Sequence, residues 1–293
     1  MAECNNEEAF NLRIGYLKPE TEELARTELN ETPETKEIAI RELRELLHSC
    51  ADIKYRDDDD FLVIFLRCCH FYPKSAFEKM KSVASFRKDY ALLVRGLLVE
   101  QVKEKFVQGS AVNVLRNCDQ KGRRVLIVNC GKLWNPSEIP PDELFRMLYM
   151  VHIAAQLEPE TQIRGVVVIM DFDGLAMKQV KALSPSFSKR LLSFIQDAMP
   201  LRMREVHFVK QPFIFKMVWQ LFKPFVREKL NKRMHFHGND MKSLHAYLSP
   251  EILPENYKGQ LPMINYGGNE WLPALEKNSE YVKEWAEMGP AKW

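Results

Sequence analysis

Two carboxylates and two imidazoles are the first candidates for chemistry in this sequence. Asp171 and Asp173 in VVVIMDFDG close a β-branched run, and the carboxyl end of a strand is where α/β enzymes place acid/base or metal-binding carboxylates. A turn with Gly174 at its corner explains the same residues without catalysis. His235 and His237 in MHFHG alternate as on one strand face and offer a metal two ligands. No third ligand stands at a usual spacing, and structural histidines satisfied by neighbours are the plainer reading. The hydrolase elbow G-x-S-x-G, the phosphate-binding glycine loops and the zinc-protease pattern H-E-x-x-H are all absent. The six cysteines (Cys4, Cys50, Cys68, Cys69, Cys118, Cys130) lack paired C-x-x-C spacing, which points to a reduced, cytoplasmic chain without a structural zinc. The expectation is no enzyme, no catalytic residue, no metal and no cofactor.

The elements around these residues suit a different task. The chain has 293 residues and 46% hydrophobic composition, enough for one large domain or two modest ones. Its net charge of +2 is the balance of 42 basic and 40 acidic residues, so bulk electrostatics argue against a nucleic-acid binder. The N-terminus MAECNNEEAFNLRIG has neither the basic nor the apolar region of a signal peptide, and no apolar run approaches the twenty or so residues of a membrane span. Up to about Arg95 the pattern is helical, and the acids Asp57 to Asp60 stand where they can cap the helix that begins FLVIFLRCC. From about Leu97, short β-branched runs (AVNVLR, RRVLIVNC, GVVVIMD, EVHFVK) alternate with helical patterns, which reads as an α/β domain. The expected division is a helical domain over 1–95, an α/β domain over 96–268, and a tail over 269–293 ending in a short amphipathic helix.

Two helices carry more apolar surface than a core needs. PDELFRMLYMVHIAAQL is greasy on two sides, with Phe145, Leu148, Tyr149 and His152 on one and Leu144, Met147, Val151 and Ala154 on the other. The first side, holding a tyrosine and a histidine, has the makeup of a pocket wall for a mainly apolar ligand; a doubly buried core helix is the alternative. In QPFIFKMVWQLFKPFVREKLNKRMHFHG, the polar residues Lys216, Gln220, Lys223 and Arg227 fall in one narrow stripe. The remaining arc exceeds twice the ~100° that an ordinary surface helix buries, and Arg227, Lys229, Lys232 and Arg233 follow it. Aromatics beside cations suit a segment that touches anionic lipid.

The ordered motifs FLVIFLR from Phe61 to Arg67, VVIMDFDG, MPLRMREVHFVKQPFIFKMVWQLFKPFVREKLNKRMHFHG and LSPEILPENYKG resemble the CRAL-TRIO lipid-transfer proteins. Within them the chain looks nearest to the branch of the alpha-tocopherol transfer protein and cellular retinaldehyde-binding protein. The resemblance implies an N-terminal all-helical subdomain, then a lipid-binding domain whose five-stranded mixed sheet, with flanking helices, floors a closed cavity under a mobile gate helix from Pro212 to about Arg227. It implies a monomeric carrier for one tocopherol-, retinoid- or carotenoid-like lipid; a phospholipid exchange protein or a lipid-gated scaffold are the alternatives. Carried over by position, the lining would be Phe145, Leu148, Tyr149, His152, Val166, Val168, Met170, Leu183, Phe187, Leu191, Phe194, Ile195, Met199, Met203, Val206, Phe213, Met217, Val218 and Leu221. The tocopherol branch has serines at the positions of Leu148 and His152. Its phosphoinositide-binding cluster matches Arg202, Lys229 and Arg233, while a fourth cation position holds Cys69, with Arg67 or Lys74 placed to compensate. The implied partners are a hydrophobic lipid and anionic, phosphoinositide-bearing membranes.

Overall fold

The computed structural model describes residues 10–264 and 267–293. Cys4 and most of the stretch on which the reading of the N-terminus rests lie outside them. Among the described residues the strands are β1 (Ile53–Lys54), β2 (Val112–Val114), β3 (Arg124–Asn129), β4 (Val166–Asp171), β5 (Met203–Val209), β6 (Met234–Phe236) and β7 (Gly289–Pro290). The middle five form one mixed sheet in the order β2-β3-β4-β5-β6. β2 is antiparallel to β3, and the other neighbours are parallel. Parallel neighbours require crossovers, and the helices Pro141–Ala155, Pro185–Ser193 and Phe215–Phe222 lie on the three that join β3 to β6.

Side chains cap two helices of the N-terminal region, one of them from the expected acidic run. Thr32 accepts from the Thr35 amide ahead of the helix Pro33–His48, and Asp58 accepts from the Phe61 amide ahead of Asp59–Cys68. Its neighbours Asp57 and Asp59 pair with His48 and Arg44, so the acidic run is a cap and a pairing site.

Residues 269–293 do not trail away from the body. The helix Ser279–Glu287 brings Trp285 to 6.0 Å from Phe61 and 6.5 Å from Phe65. Beyond it β7 pairs antiparallel with β1, Ile53 facing Pro290. One apolar cluster therefore runs from the N-terminal helices through the cavity side of the sheet to Trp285 and Met288. A second, around Val167, Ile169, Val209, Leu244 and Tyr257, fills the other side of the sheet.

One irregularity positions a charge. Val166 pairs with Met203 and Val167 with Glu205, so Arg204 is an extra residue in β5, and such a bulge re-aims the side chain it carries. The chain approaches closely here: a Cβ on Gly165, at φ +85°, would lie 2.3 Å from the Arg202 carbonyl oxygen, so only glycine fits.

Candidate functional site

A cavity lies between the sheet, the helix Pro141–Ala155, the segment from Leu183 to Met203 and the helix Phe215–Phe222, the expected gate. Its volume is about 200 Å³, where one water needs about 10–15 Å³, so its capacity far exceeds that of a solvent site. The period-two alternation of β4 sends Val166, Val168 and Met170 toward it, and β5 adds Met203 and Val206. Leu148 and His152 come from the long helix, and Leu183, Phe187, Leu191, Phe194, Ile195 and Met199 from the wall between β4 and β5. Val218 of the gate helix completes the part of the lining that the sequence anticipated.

Five expected residues stand elsewhere. Phe145 and Tyr149 are buried on the flank of their helix beside His152, both against Phe194, with Phe145 also meeting Phe86 and lying beneath the Arg190 guanidinium. The Tyr149 hydroxyl accepts from Arg87 Nη1 at 2.8 Å and Trp285 Nε1 at 3.2 Å. On the gate, Phe213 and Met217 are 83% and 44% exposed, and Leu221 is half-buried off the cavity. The helical phase explains the error. Phe215, Val218, Trp219 and Phe222 recur at i, i+3, i+4 and i+7 and face the cavity, which turns Phe213, Met217 and Leu221 to the opposite side. Lys216, Gln220, Lys223 and Arg227 are exposed, as their stripe requires.

The sequence also missed one end of the cavity. Arg124 of β3 donates from Nε and Nη2 to Glu158 at 2.8 and 2.6 Å. Burial alone would raise the Glu158 carboxyl, but the bonds from Arg124 outweigh it and hold it below the usual carboxylate range. Phe10 lies under the Arg124 guanidinium at 4.8 Å, and the Arg13 amide donates to Glu158 at 3.0 Å. The chain thus straps Phe10 and Leu12 over this end. A buried Arg/Glu pair separated by 34 positions leaves no local pattern, whereas the i, i+3, i+4 phase of the gate was available.

Inside, polarity is sparse. His152 is 5% exposed, and burial, outweighing its bond to the Tyr149 carbonyl, pushes the imidazole down to about 3. It is neutral at pH 7. Its Nδ1 lies 2.5 Å from the Tyr149 carbonyl oxygen, and Nε2 has no partner.

Outside, the three expected cations share one surface with a fourth. Arg202 donates to the Ile163 carbonyl at 2.6 Å and to Glu28 at 3.0 Å, Arg204 donates to Glu28 at 2.8 Å, and Arg233 donates to the Met203 carbonyl. Burial first, then the neighbouring Arg204, draws the guanidinium pKa values of Arg202 and Arg233 below their ordinary range. Lys229 is exposed, and it and Lys79 both help to lower the Cys69 thiol, after the larger effect of the Cys68 hydrogen bond. Lys79, which donates to the Asp197 carbonyl at 3.0 Å, therefore stands beside Cys69 together with Lys229. Arg67 is buried against Glu31 and Gln162. Lys74 is exposed.

The gate is tied down at its far end. The segment Phe194–Ala198 is a single π-helical turn, a form frequent at functional sites. Gln196 there accepts from the Arg227 amide at 2.9 Å and donates to the Phe225 carbonyl at 3.1 Å, and Asp197 pairs with the Arg227 guanidinium.

The first candidates for chemistry are occupied otherwise. Asp171 accepts from Lys210 at 2.8 Å and Asp173 from Lys132 at 2.6 Å. The His237 ring bonds Ser243 at 2.7 Å and His207 at 3.0 Å, while His235 stacks on Tyr247 with ring centres 4.2 Å apart. Among the described residues no group of three His, Cys, Asp or Glu is arranged to hold a metal, and no helix is long and apolar enough to cross a membrane.

Comparison with known proteins agrees with this architecture. The CRAL/TRIO domain model matches residues 108–259, more than half of the chain. Clavesin-2 of Homo sapiens is 33% identical over 277 residues, covering 90% of this chain and 82% of that protein. Clavesin-1 of Pongo abelii is 33% identical over 254 residues, covering 86% and 71%. The crystal structure of Sfh5 shares the fold at a TM-score of 0.50 and 16% identity, over 86% of this chain and 96% of that one. With the sheet, the cavity and this identity over most of its length, the chain belongs to the CRAL-TRIO family of lipid-binding and lipid-transfer proteins.

Proposed function

We propose that this protein is a non-enzymatic cytoplasmic carrier that encloses one small hydrophobic lipid, tocopherol-, retinoid- or carotenoid-like, beneath the gate helix. It acts as a monomer and releases its cargo at anionic membranes, where phosphoinositide head groups engage the cationic surface and help the gate to open. The observation that carries this reading is the two-sided gate: Phe215, Val218, Trp219 and Phe222 border the cavity, while Phe213 and Met217 face outward beside Lys216. An isoprenoid chain of about sixteen carbons, at about 0.8 kcal/mol per buried methylene, gains on the order of ten kcal/mol in such a cavity. A phospholipid would need polar groups for its head, and the lining supplies few beyond His152 and the already paired Arg124 and Glu158.

The experiment measures cargo binding and cargo transfer to phosphoinositide-containing vesicles side by side. Each cation near an anionic surface contributes about 1 kcal/mol, so Lys229→Glu with Arg233→Glu is expected to weaken vesicle association by about a hundredfold or more and to reduce its salt dependence. Cargo affinity in solution stays unchanged. Wild-type transfer by the double variant would overturn the membrane-assisted step.

A further inference from the structure

The strap at the Arg124 end limits how far a cargo can extend. The cavity lining draws on every strand of the five-stranded sheet, from Val114 of β2 to Met234 of β6. Four interstrand spacings of about 4.8 Å make that a span of roughly 19 Å. The gate helix covers the β5–β6 end, where the Trp219 ring lies 6.2 Å from Phe208 and 5.2 Å from Phe236. Phe10 and Leu12 cover the β3 end, beside Arg124.

The two ends are built differently. The gate is a helix, whereas residues 10–18 form neither helix nor strand. Phe10 and Leu12 are half-buried and border the cavity, while Asn11 and Arg13 are exposed, the period-two alternation of an extended chain with one face turned inward. Between Phe10 and Arg13 the ties run to a single ion pair. Arg124 Nη2 donates to the Asn11 carbonyl at 3.4 Å, the Arg13 amide donates to Glu158 at 3.0 Å, and the Phe10 ring lies under the guanidinium at 4.8 Å. Further on, the Lys18 amide donates to Glu160 at 2.7 Å, where the helix Pro19–Leu29 begins. The strap is thus stretched between two fixed points and cannot back away without breaking these bonds.

That arrangement accounts for an ion pair in an apolar wall. Arg124 and Glu158 are buried, and a buried pair is often no more stabilising than hydrocarbon in its place, its best-attested use being to fix a register. Here it fixes the register of the strap, and with it which side chains stand in the cavity. The pair's own polar atoms are engaged: Arg124 also donates to the Arg116 carbonyl at 3.1 Å, and Glu158 accepts from the Thr161 hydroxyl at 2.8 Å. What comes to rest against Phe10 and Leu12 is therefore the apolar end of a cargo and not its head. Resting on the carrier reading above, we infer that Phe10 and Leu12 are the stop for the cargo's apolar tail, so that the strap sets the longest chain the protein accepts.

The test uses the full chain and the all-trans prenyl alcohols geraniol, farnesol, geranylgeraniol and geranylfarnesol, each one isoprene unit longer than the last, partitioned between protein and neutral vesicles. The wild type is expected to lose affinity at one step of the series. Phe10→Ala with Leu12→Ala deepens the cavity and should move that step one unit longer, raising the affinity for the first excluded alcohol about tenfold or more. Leu12→Trp fills the same end and should move the step one unit shorter. Thermal unfolding of each variant checks that it is folded. Without mutation, geranylgeraniol carrying a diazirine at its tail end should crosslink to the peptide that holds Phe10 and Leu12. A step at the same length in all three proteins, affinity that keeps rising through geranylfarnesol, or crosslinks confined to the gate would each overturn the inference while leaving the carrier standing. If none of the four alcohols binds, the carrier reading for isoprenoid lipids fails and the inference falls with it.

Discussion

Alternate residues of β4 enter two unlike interiors. Val167 and Ile169 are fully buried in a packed core with Val209, Leu244 and Leu253, whereas Val166, Val168 and Met170 on the other face border the cavity. The side chains are nearly the same in kind, so hydrophobicity does not decide which face is filled. What differs is what lies opposite: on one face short helices and loops of the same domain close down on the sheet, and on the other the walls and gate stand off. Valines buy stability on the first face and capacity on the second.

The sharpest way to test that contrast is truncation on either side of the same strand. Ile169→Ala is expected to cost about 2–5 kcal/mol of stability, because the packed surroundings relax only partly around the lost atoms. Val168→Ala should unfold at nearly the wild-type urea concentration and instead alter cargo affinity. Equal losses of stability in denaturant titrations would mean that the cavity face is as tightly packed as the other.

The gate repeats the contrast on one helix, with a smaller expected effect. Trp219→Asp places a carboxylate against the cavity, and swinging outward limits the cost to about 1–3 kcal/mol of cargo retention. Met217→Asp, on the outer face, should leave retention intact and weaken vesicle association. Binding and vesicle sedimentation assays on both variants check this, and reversed outcomes would exchange the two faces.

The smallest effect concerns pH and the packed side of the sheet. Burial, followed by the proximity of His207 and His235, pushes His237 down to about 4, and His235 is lowered first by burial and then by His207. A histidine whose folded pKa is depressed contributes stability that is complete above its unfolded value near 6.5 and is lost as pH falls toward the folded value. Glu205 opposes none of this above pH 4, since its carboxyl is held down at about 2 by His207 and Arg123 against the effect of burial. Urea midpoints should therefore fall between about pH 6.5 and 4, and His237→Asn should flatten part of that slope. An unchanged slope would assign the acid sensitivity to other groups.

Much of this architecture could be read in the residues. The β-branched runs became β2 to β5, Asp58 became a cap, and the over-apolar stretch after Gln211 became a helix over a cavity. The errors have separate causes. Carrying positions over places Phe213, Met217 and Leu221 inside, but the helix starts at Phe215 and its phase puts them outside. Phe145 and Tyr149 share an arc with Leu148 and His152, and the pattern cannot say that their part of it packs against Phe86 and Arg87 instead of the cavity. Arg204, Lys79 and the Arg124–Glu158 pair were illegible because each matters through a partner far along the chain.

The pairing of β1 with β7 has a consequence for biosynthesis. Phe61 and Phe65 leave the ribosome long before Trp285, which covers them, and Pro290, which pairs with Ile53. Contacts so distant in sequence form late because their loop must close first. Until that segment is made, the nascent helical region therefore displays an aromatic face without this cover, the kind of surface that draws chaperones or neighbouring chains. Its completion is tied to synthesis of the segment that carries Trp285 and Pro290 rather than to synthesis of the helices themselves.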